Sequence, residues 1–161
     1  MTNIIFMDVD GPLIPGRMYV TGRPLIHTTK KYYVYDPVAV GMLNNLCKTY
    51  DAKIVFNSSH NQFGEDQLRY TAIENGFIES YLHKYLCTEF PLQTIKRSDG
   101  PNRWLTQFGK DVDKWIVVDD DSTASHQMIL VSFNNGMTLD IYTALENYLR
   151  GSAGSGLIMV K

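Results

Sequence analysis

The stretch IIFMDVDGPL, Ile4 to Leu13, sets Asp8 and Asp10 two residues apart where an apolar run stops and a Gly-Pro turn begins. Two other polar clusters follow apolar runs in the same way, Ser58 and Ser59 after AKIVFN and Asp119 to Asp121 after DKWIVV. Taken singly, each cluster also reads as turn formers or as a solvated loop. If the three runs are parallel strands, the clusters converge on one rim of a sheet. Four or five carboxylates there repel one another unless a cation neutralises them, and an oxygen-only donor set points to Mg²⁺.

The elements that must position these residues follow from periodicity. NIIFMDV, AKIVFNSS and DKWIVVDDDS are short apolar runs rich in β-branched residues, which suit strands buried on both faces. HKYLCTEF and QMILVSF add two further strands. DPVAVGMLNNLCKTY reads as a helix, with Asp36 placed to cap, Pro37 in the first turn, and Val40, Leu43, Leu46 and Cys47 at helical spacing. GEDQLRYTAIENGF predicts a helix closed by Asn75-Gly76, and further helices are expected near SDGPNRWLTQF and TLDIYTALENYL. This alternation predicts an α/β domain over residues 1–150, a Rossmann-like open and mainly parallel sheet with helices on both faces. Ligands bind such sheets beyond the carboxyl ends of the strands.

A chain of 161 residues, 44% hydrophobic, can build one substantial core. Its 15 basic and 17 acidic side chains give a formal charge of -2, so no global field draws nucleic acid or an acidic membrane, and any polyanion must be held locally. Cys47 and Cys87 fit no metal-ligand spacing and read as reduced thiols. With no basic segment leading into a long apolar run, and no stretch near the ~20 residues needed to span a bilayer, the expectation is a cytoplasmic protein without a membrane or an obligate protein partner.

DVDGPL resembles the first motif of the haloacid dehalogenase (HAD) superfamily, in which an aspartate, any residue, a second aspartate and glycine follow a buried strand. IVFNSSH is similar to its second motif, IKRSDGPNRWL to its third with a basic pair before a helix, and WIVVDDD to its acidic fourth. The resemblance covers roughly residues 3–150 and is strongest to the small capless domains of bacterial and phage proteins, including RNA-repair proteins. That subgroup continues its second motif with Trp-Arg, where this chain has His60-Asn61. Members that displace halide lack a carboxylate at the position of Asp10, so the resemblance implies phosphoryl chemistry.

The residues support the same chemistry by their own properties. Cleaving a phosphate monoester calls for a cation on its oxygens, a positioned nucleophile and a proton donor for the leaving alkoxide. Asp8, ionised at neutral pH, would attack phosphorus and form an aspartyl phosphate, and Asp10 would protonate the leaving group and then deprotonate water. Mg²⁺ would be held by Asp8, a backbone carbonyl near Asp10, and Asp119, with Asp120 helping directly or through water. Ser58 would donate to a phosphoryl oxygen, and either Lys96 or Arg97 would stabilise the remaining charge.

Substrate contacts are expected from Gly11, Ser59, His60, Arg17, Lys30 and Lys31. The segment of about residues 14–35 is too short for a folded cap, and alternation in RMYVTG and KKYYVYD predicts a β-hairpin flap. Its basic residues, with Arg23 among them, and Tyr19, Tyr32 and Tyr33 could meet phosphates and stack bases. The expected substrate is a nucleotide or a nucleic-acid terminal phosphate. The alternatives are another small phosphorylated metabolite, or a binding or regulatory protein that keeps the fold without useful turnover. The Gly/Ser-rich tail, 151–161, ends in four apolar residues and a lysine, and fits either a sheet edge or a contact between copies.

Overall fold

The computed structural model describes residues 1–22, 26, 27, 29–89 and 96–151, and the backbone of 158 and 159. Its centre is strand β1, Thr2–Met7. Next come a short helix α1, Gly16–Val20, helix α2, Pro37–Tyr50, and strand β2, Ala52–Phe56. A 3₁₀ turn over Ser59–Phe63 leads to α3, Glu65–Glu74, and β3, Leu82–Cys87. Helix α4, Asp99–Phe108, precedes β4, Val112–Asp119, and β5, Met128–Leu130; α5 is Leu139–Arg150 and β6 is Ile158–Met159.

The strands form a six-stranded sheet in the order β3-β2-β1-β4-β5-β6, with every pairing parallel. From β1 the chain runs outward through β2 to β3, then crosses to β4 and runs outward the other way. The two directions part between β1 and β4, which is where such sheets open a crevice for ligands. Met7 pairs with Val118 in register, so Asp8 and Asp119 occupy the next step, and the Asp8 N–H donates to the Val118 carbonyl at 3.0 Å.

Alternation along the strands divides the core. Ile5, Met7, Ile54, Phe56, Ile116 and Val118 face one cluster, shared with Leu43 and Leu46 of α2, Leu68 and Ala72 of α3, and Ile141 and Leu145 of α5. Ile4, Phe6, Val55 and Val117 face the other, where Trp104 of α4 packs edge-on to Phe6 with ring centroids 5.5 Å apart. Each such side chain, fully buried, contributes about 1.5–3 kcal/mol, so the strands that end in carboxylates are also the best anchored.

Caps are made as the sequence predicts for α2, where the Asp36 carboxylate accepts from the Val38 N–H and Pro37 opens the helix. Cys47 and Cys87 are free, and burial pushes both thiols up to about 12. Among the described residues no helix is long and apolar enough to cross a membrane.

Two expectations are corrected in the segment after β1. RMYVTG does not form a strand: Gly16–Val20 is helical, because Met18 is drawn into the core and the Gly16 and Arg17 N–H groups donate to the Phe133 and Asn134 carbonyls. Among the described residues, what remains of the expected hairpin is one antiparallel bridge between Ile26 and Tyr33. Of the three tyrosines expected to face a substrate, Tyr32 is buried, Tyr33 is half-buried and Tyr19 is exposed. In the tail, Ile158 and Met159 pair in parallel with Ile129 and Leu130, which adds a strand to the edge of the sheet.

Candidate active site

Three carboxylates meet at the β1/β4 crevice. One oxygen from each of Asp8, Asp119 and Asp120 lies within 4.8 Å of the others. Asp8 and Asp119 are buried at the ends of their strands, and Asp120 is half-buried. Arg97 closes the cluster from the turn before α4. One of its guanidinium nitrogens is 2.6 Å from Asp8 Oδ1 and 2.9 Å from Asp119 Oδ2, and it also donates to the Asn57 carbonyl at 3.2 Å.

Burial sets the electrostatics. It raises the Asp8 carboxyl above the ordinary range, opposed by Arg97 and by a hydrogen bond from Ser58. Asp119 is pushed up to about 7 by burial and then by the charge of Asp8, and burial raises Asp120 as well. For Arg97 burial acts to lower its pKa, but Asp8 and Asp119 outweigh it and raise the value. One guanidinium facing three carboxylates leaves the cluster short of positive charge.

That shortfall, with the donor set, tests the cluster as a cation site. The ligand atoms are all carboxylate oxygens. Asp119 Oδ2 is fully buried and, although near Arg97, receives no hydrogen bond of good geometry. Hard oxygen donors with uncompensated charge suit Mg²⁺.

Asp10 is not part of this triad at its side chain. Its carboxylate is part-exposed and turns away to His60, whose Nε2 is 3.2 Å from Asp10 Oδ2. His60 is buried, with its ring 4.5 Å from that of Tyr33 and 5.7 Å from that of Phe63. Gly11 holds the turn. Its φ of +82° favours glycine, and a Cβ there would lie 2.9 Å from Asp120 Cγ.

The structure separates the remaining sequence-predicted residues. Ser58 is buried beside Asp8, with its Oγ accepting from the His60 N–H at 3.3 Å, while Ser59 is exposed. Of the basic pair, Arg97 points into the cluster and Lys96 is exposed, since adjacent residues of a turn diverge. Arg17 pairs with Asp36, the buried cap of α2, while its side chain stays part-exposed. Lys30 is likewise paired with Glu74 at 2.7 Å. Lys31 is exposed at a φ of +55°, and Arg23 lies outside the described residues.

Three residues escaped the sequence reading. Asn57 is buried beneath the site, with its Oδ1 accepting from Thr88 Oγ1 at 2.8 Å, and Asn61 Nδ2 donates to the Phe56 and Thr88 carbonyls. Gly100 lets α4 approach this network, since a Cβ there would be 2.7 Å from Asn57 Oδ1. The available signal was two asparagines flanking the serine pair, in a run that composition alone assigns to a loop.

The fold and site define an α/β domain of the Rossmann-like class, a parallel sheet that carries two buried carboxylates, a half-buried third and an inward arginine at its switch point. The chain belongs to the family described as the HAD domain in Swiss Army Knife RNA repair proteins, whose model matches residues 4–140. Neither the curated proteins nor the solved structures give a match. Membership of a HAD-domain family goes with phosphatase-type hydrolase activity and, in its phosphatases, with Mg²⁺.

Proposed function

We propose that this chain is a Mg²⁺-dependent phosphomonoesterase that forms an aspartyl phosphate on Asp8, acting on a nucleotide or a nucleic-acid terminal phosphate. The observation that carries the reading is the buried Asp8 carboxylate, grouped with Asp119 and Asp120 within 4.8 Å and faced by Arg97 at 2.6 Å. Asp8, Asp119 and Asp120 would hold the ion, which when bound would offset the charge of the carboxylates and of the phosphate oxygens.

An oxygen of Asp8 attacks phosphorus, the bond from phosphorus to the ester oxygen breaks, and that oxygen takes the proton of Asp10. Asp10, now a carboxylate, removes a proton from water. The resulting hydroxide attacks phosphorus and releases inorganic phosphate and the free Asp8 carboxylate. Arg97 and the Ser58 hydroxyl donate to the non-bridging oxygens throughout.

A small segment after β1 in place of a folded cap leaves room for an extended substrate. The aromatic group of Tyr33, His60 and Phe63 beside Asp10 favours a nucleotide over a simple sugar phosphate. The test is a panel of phosphate monoesters assayed with Mg²⁺ and with chelator. Mg²⁺-dependent release of phosphate, fastest with nucleotides, is expected; release that chelator leaves unchanged would overturn the reading.

A further inference from the structure

A cavity of about 210 Å³ lies between the turn that carries His60 and helix α3. Among the described residues it is lined by Tyr33, His60 and Phe63, with the buried Tyr32, Leu68 and Thr71 behind them and the exposed Gln67 and Lys31 at its edges. The three rings form its walls, Tyr33 to Phe63 with centroids 5.9 Å apart and tilted by 34°. Phe63 is 47% exposed and lines the cavity from its open side. A larger cavity, about 650 Å³ and lined by Thr2, Leu82 and Val112 among others, includes none of Asp8, Asp10, Asp119 and Asp120 and sits toward the opposite ends of β1 and β4.

We propose that the Tyr33-His60-Phe63 cavity binds the planar base of a nucleoside leaving group. The inference rests on the reading of Asp10 as the acid of a phosphatase. A proton donor must touch the oxygen that departs, so the departing group lies against Asp10. The Asp10 carboxylate is in turn 3.2 Å from His60 Nε2, which makes the cavity the compartment next to the leaving oxygen.

The occupant has to be separated from that oxygen by a spacer, because the His60 ring stands between Asp10 and the space beyond. A nucleoside supplies a ribose there. An aryl ester does not, since its ring is bonded directly to the leaving oxygen and stays at Asp10. Flat aromatic walls suit a base face, and the Gln67 amide and Thr71 hydroxyl, which bond each other at 3.4 Å, offer polar partners to a base edge.

The experiment compares the full chain with Phe63→Ala and Phe63→Trp, with Mg²⁺ present, on a nucleoside monophosphate, ribose 5-phosphate and an aryl phosphate. The wild type should favour the nucleotide over ribose phosphate by about tenfold or more in kcat/KM. Phe63→Ala should remove most of that preference while changing the other two substrates by less than about twofold, and Phe63→Trp should retain it. No preference in the wild type, or an equal loss on all three substrates, overturns the proposal.

An oligonucleotide with the same terminal nucleotide, run alongside, assigns the base to a chain end if its kcat/KM is the higher and to a free nucleotide if it is not. Either result supports the cavity when Phe63→Ala lowers it. Should no ester be hydrolysed, the phosphatase reading fails on its own, and calorimetric titration with adenosine and with ribose decides the cavity. Adenosine binding that Phe63→Ala weakens about tenfold supports it, and no adenosine binding to the wild type overturns it.

Discussion

Asp8 and Asp119 stand side by side at the ends of adjacent parallel strands, and one guanidinium nitrogen of Arg97 bridges them at 2.6 and 2.9 Å. Two buried carboxylates are thereby held close by a backbone register that their mutual repulsion cannot shift, because Met7 and Val118 behind them are sealed in the core.

Asp8→Asn removes the proposed nucleophile while keeping its shape. The fold should persist, with a melting temperature equal to or above that of the wild type, since one member of a crowded acidic cluster has lost its charge. Turnover should fall by roughly 10³-fold or more, as expected for loss of a covalent nucleophile. A rate within a few fold of wild type, measured on an aryl phosphate, would exclude Asp8 from that role.

Asp10→Asn should discriminate between leaving groups. An alkyl phosphate departs as a basic alkoxide and needs the proton, so its rate should drop by roughly 10²-fold or more. An activated aryl phosphate leaves unaided and should lose much less in its first step. Equal losses on both, followed as phosphate release and as phenolate burst, would contradict the acid assignment.

Asp119 links stability to pH. Its carboxyl is raised in the fold from 3.8 to about 7, so between those values the folded chain keeps a proton that the unfolded chain has released. The unfolded state then binds fewer protons, and the metal-free protein should lose stability as pH rises from about 4 to about 7. An ion that replaces the proton removes that penalty. Mg²⁺ should therefore raise the melting temperature more at about pH 8 than at about pH 5, and Asp119→Asn should flatten both trends. Identical Mg²⁺ shifts at the two pH values would locate the ion elsewhere.

Gly11→Ala tests the contact between the Asp10 turn and Asp120. A left-handed backbone costs an alanine about 1–2 kcal/mol, and its methyl group would press on Asp120 Cγ. Both a lower melting temperature and a higher Mg²⁺ requirement should follow. Loss of stability with an unchanged Mg²⁺ titration would remove Asp120 from the ion's ligands.

How far the sequence revealed all this depended on the range of the interactions involved. β1, β2 and β4 were legible because strands buried on both faces are continuous apolar runs, and the polar residues that end them could be assigned to one rim as soon as the sheet was parallel. The segment after β1 was not, since RMYVTG alternates over too few residues to separate a strand from a helical turn. Its helix is decided by Met18 entering the core and by carbonyls near residue 133, more than a hundred positions away. Spacing to Trp104 and Leu105 favours Arg97 over Lys96 only slightly, and it is the turn before α4 that aims the arginine at Asp8 and Asp119. Arg17 and Lys30 looked like free charges because their partners, Asp36 and Glu74, are tertiary neighbours.

The strand order has a consequence for how the protein is made. β1 is the first strand to be synthesised, yet it lies between β2 and β4, so its second edge has no partner until residues past 112 have been added. Through that interval an apolar strand of high β propensity carries an unpaired row of N–H and C=O groups, the kind of surface that invites association with other chains. The closing step joins segments far apart in sequence and is slow for that reason. Mutations that weaken the β1–β4 pairing should therefore lower the soluble yield during expression before they measurably lower the stability of the finished molecule.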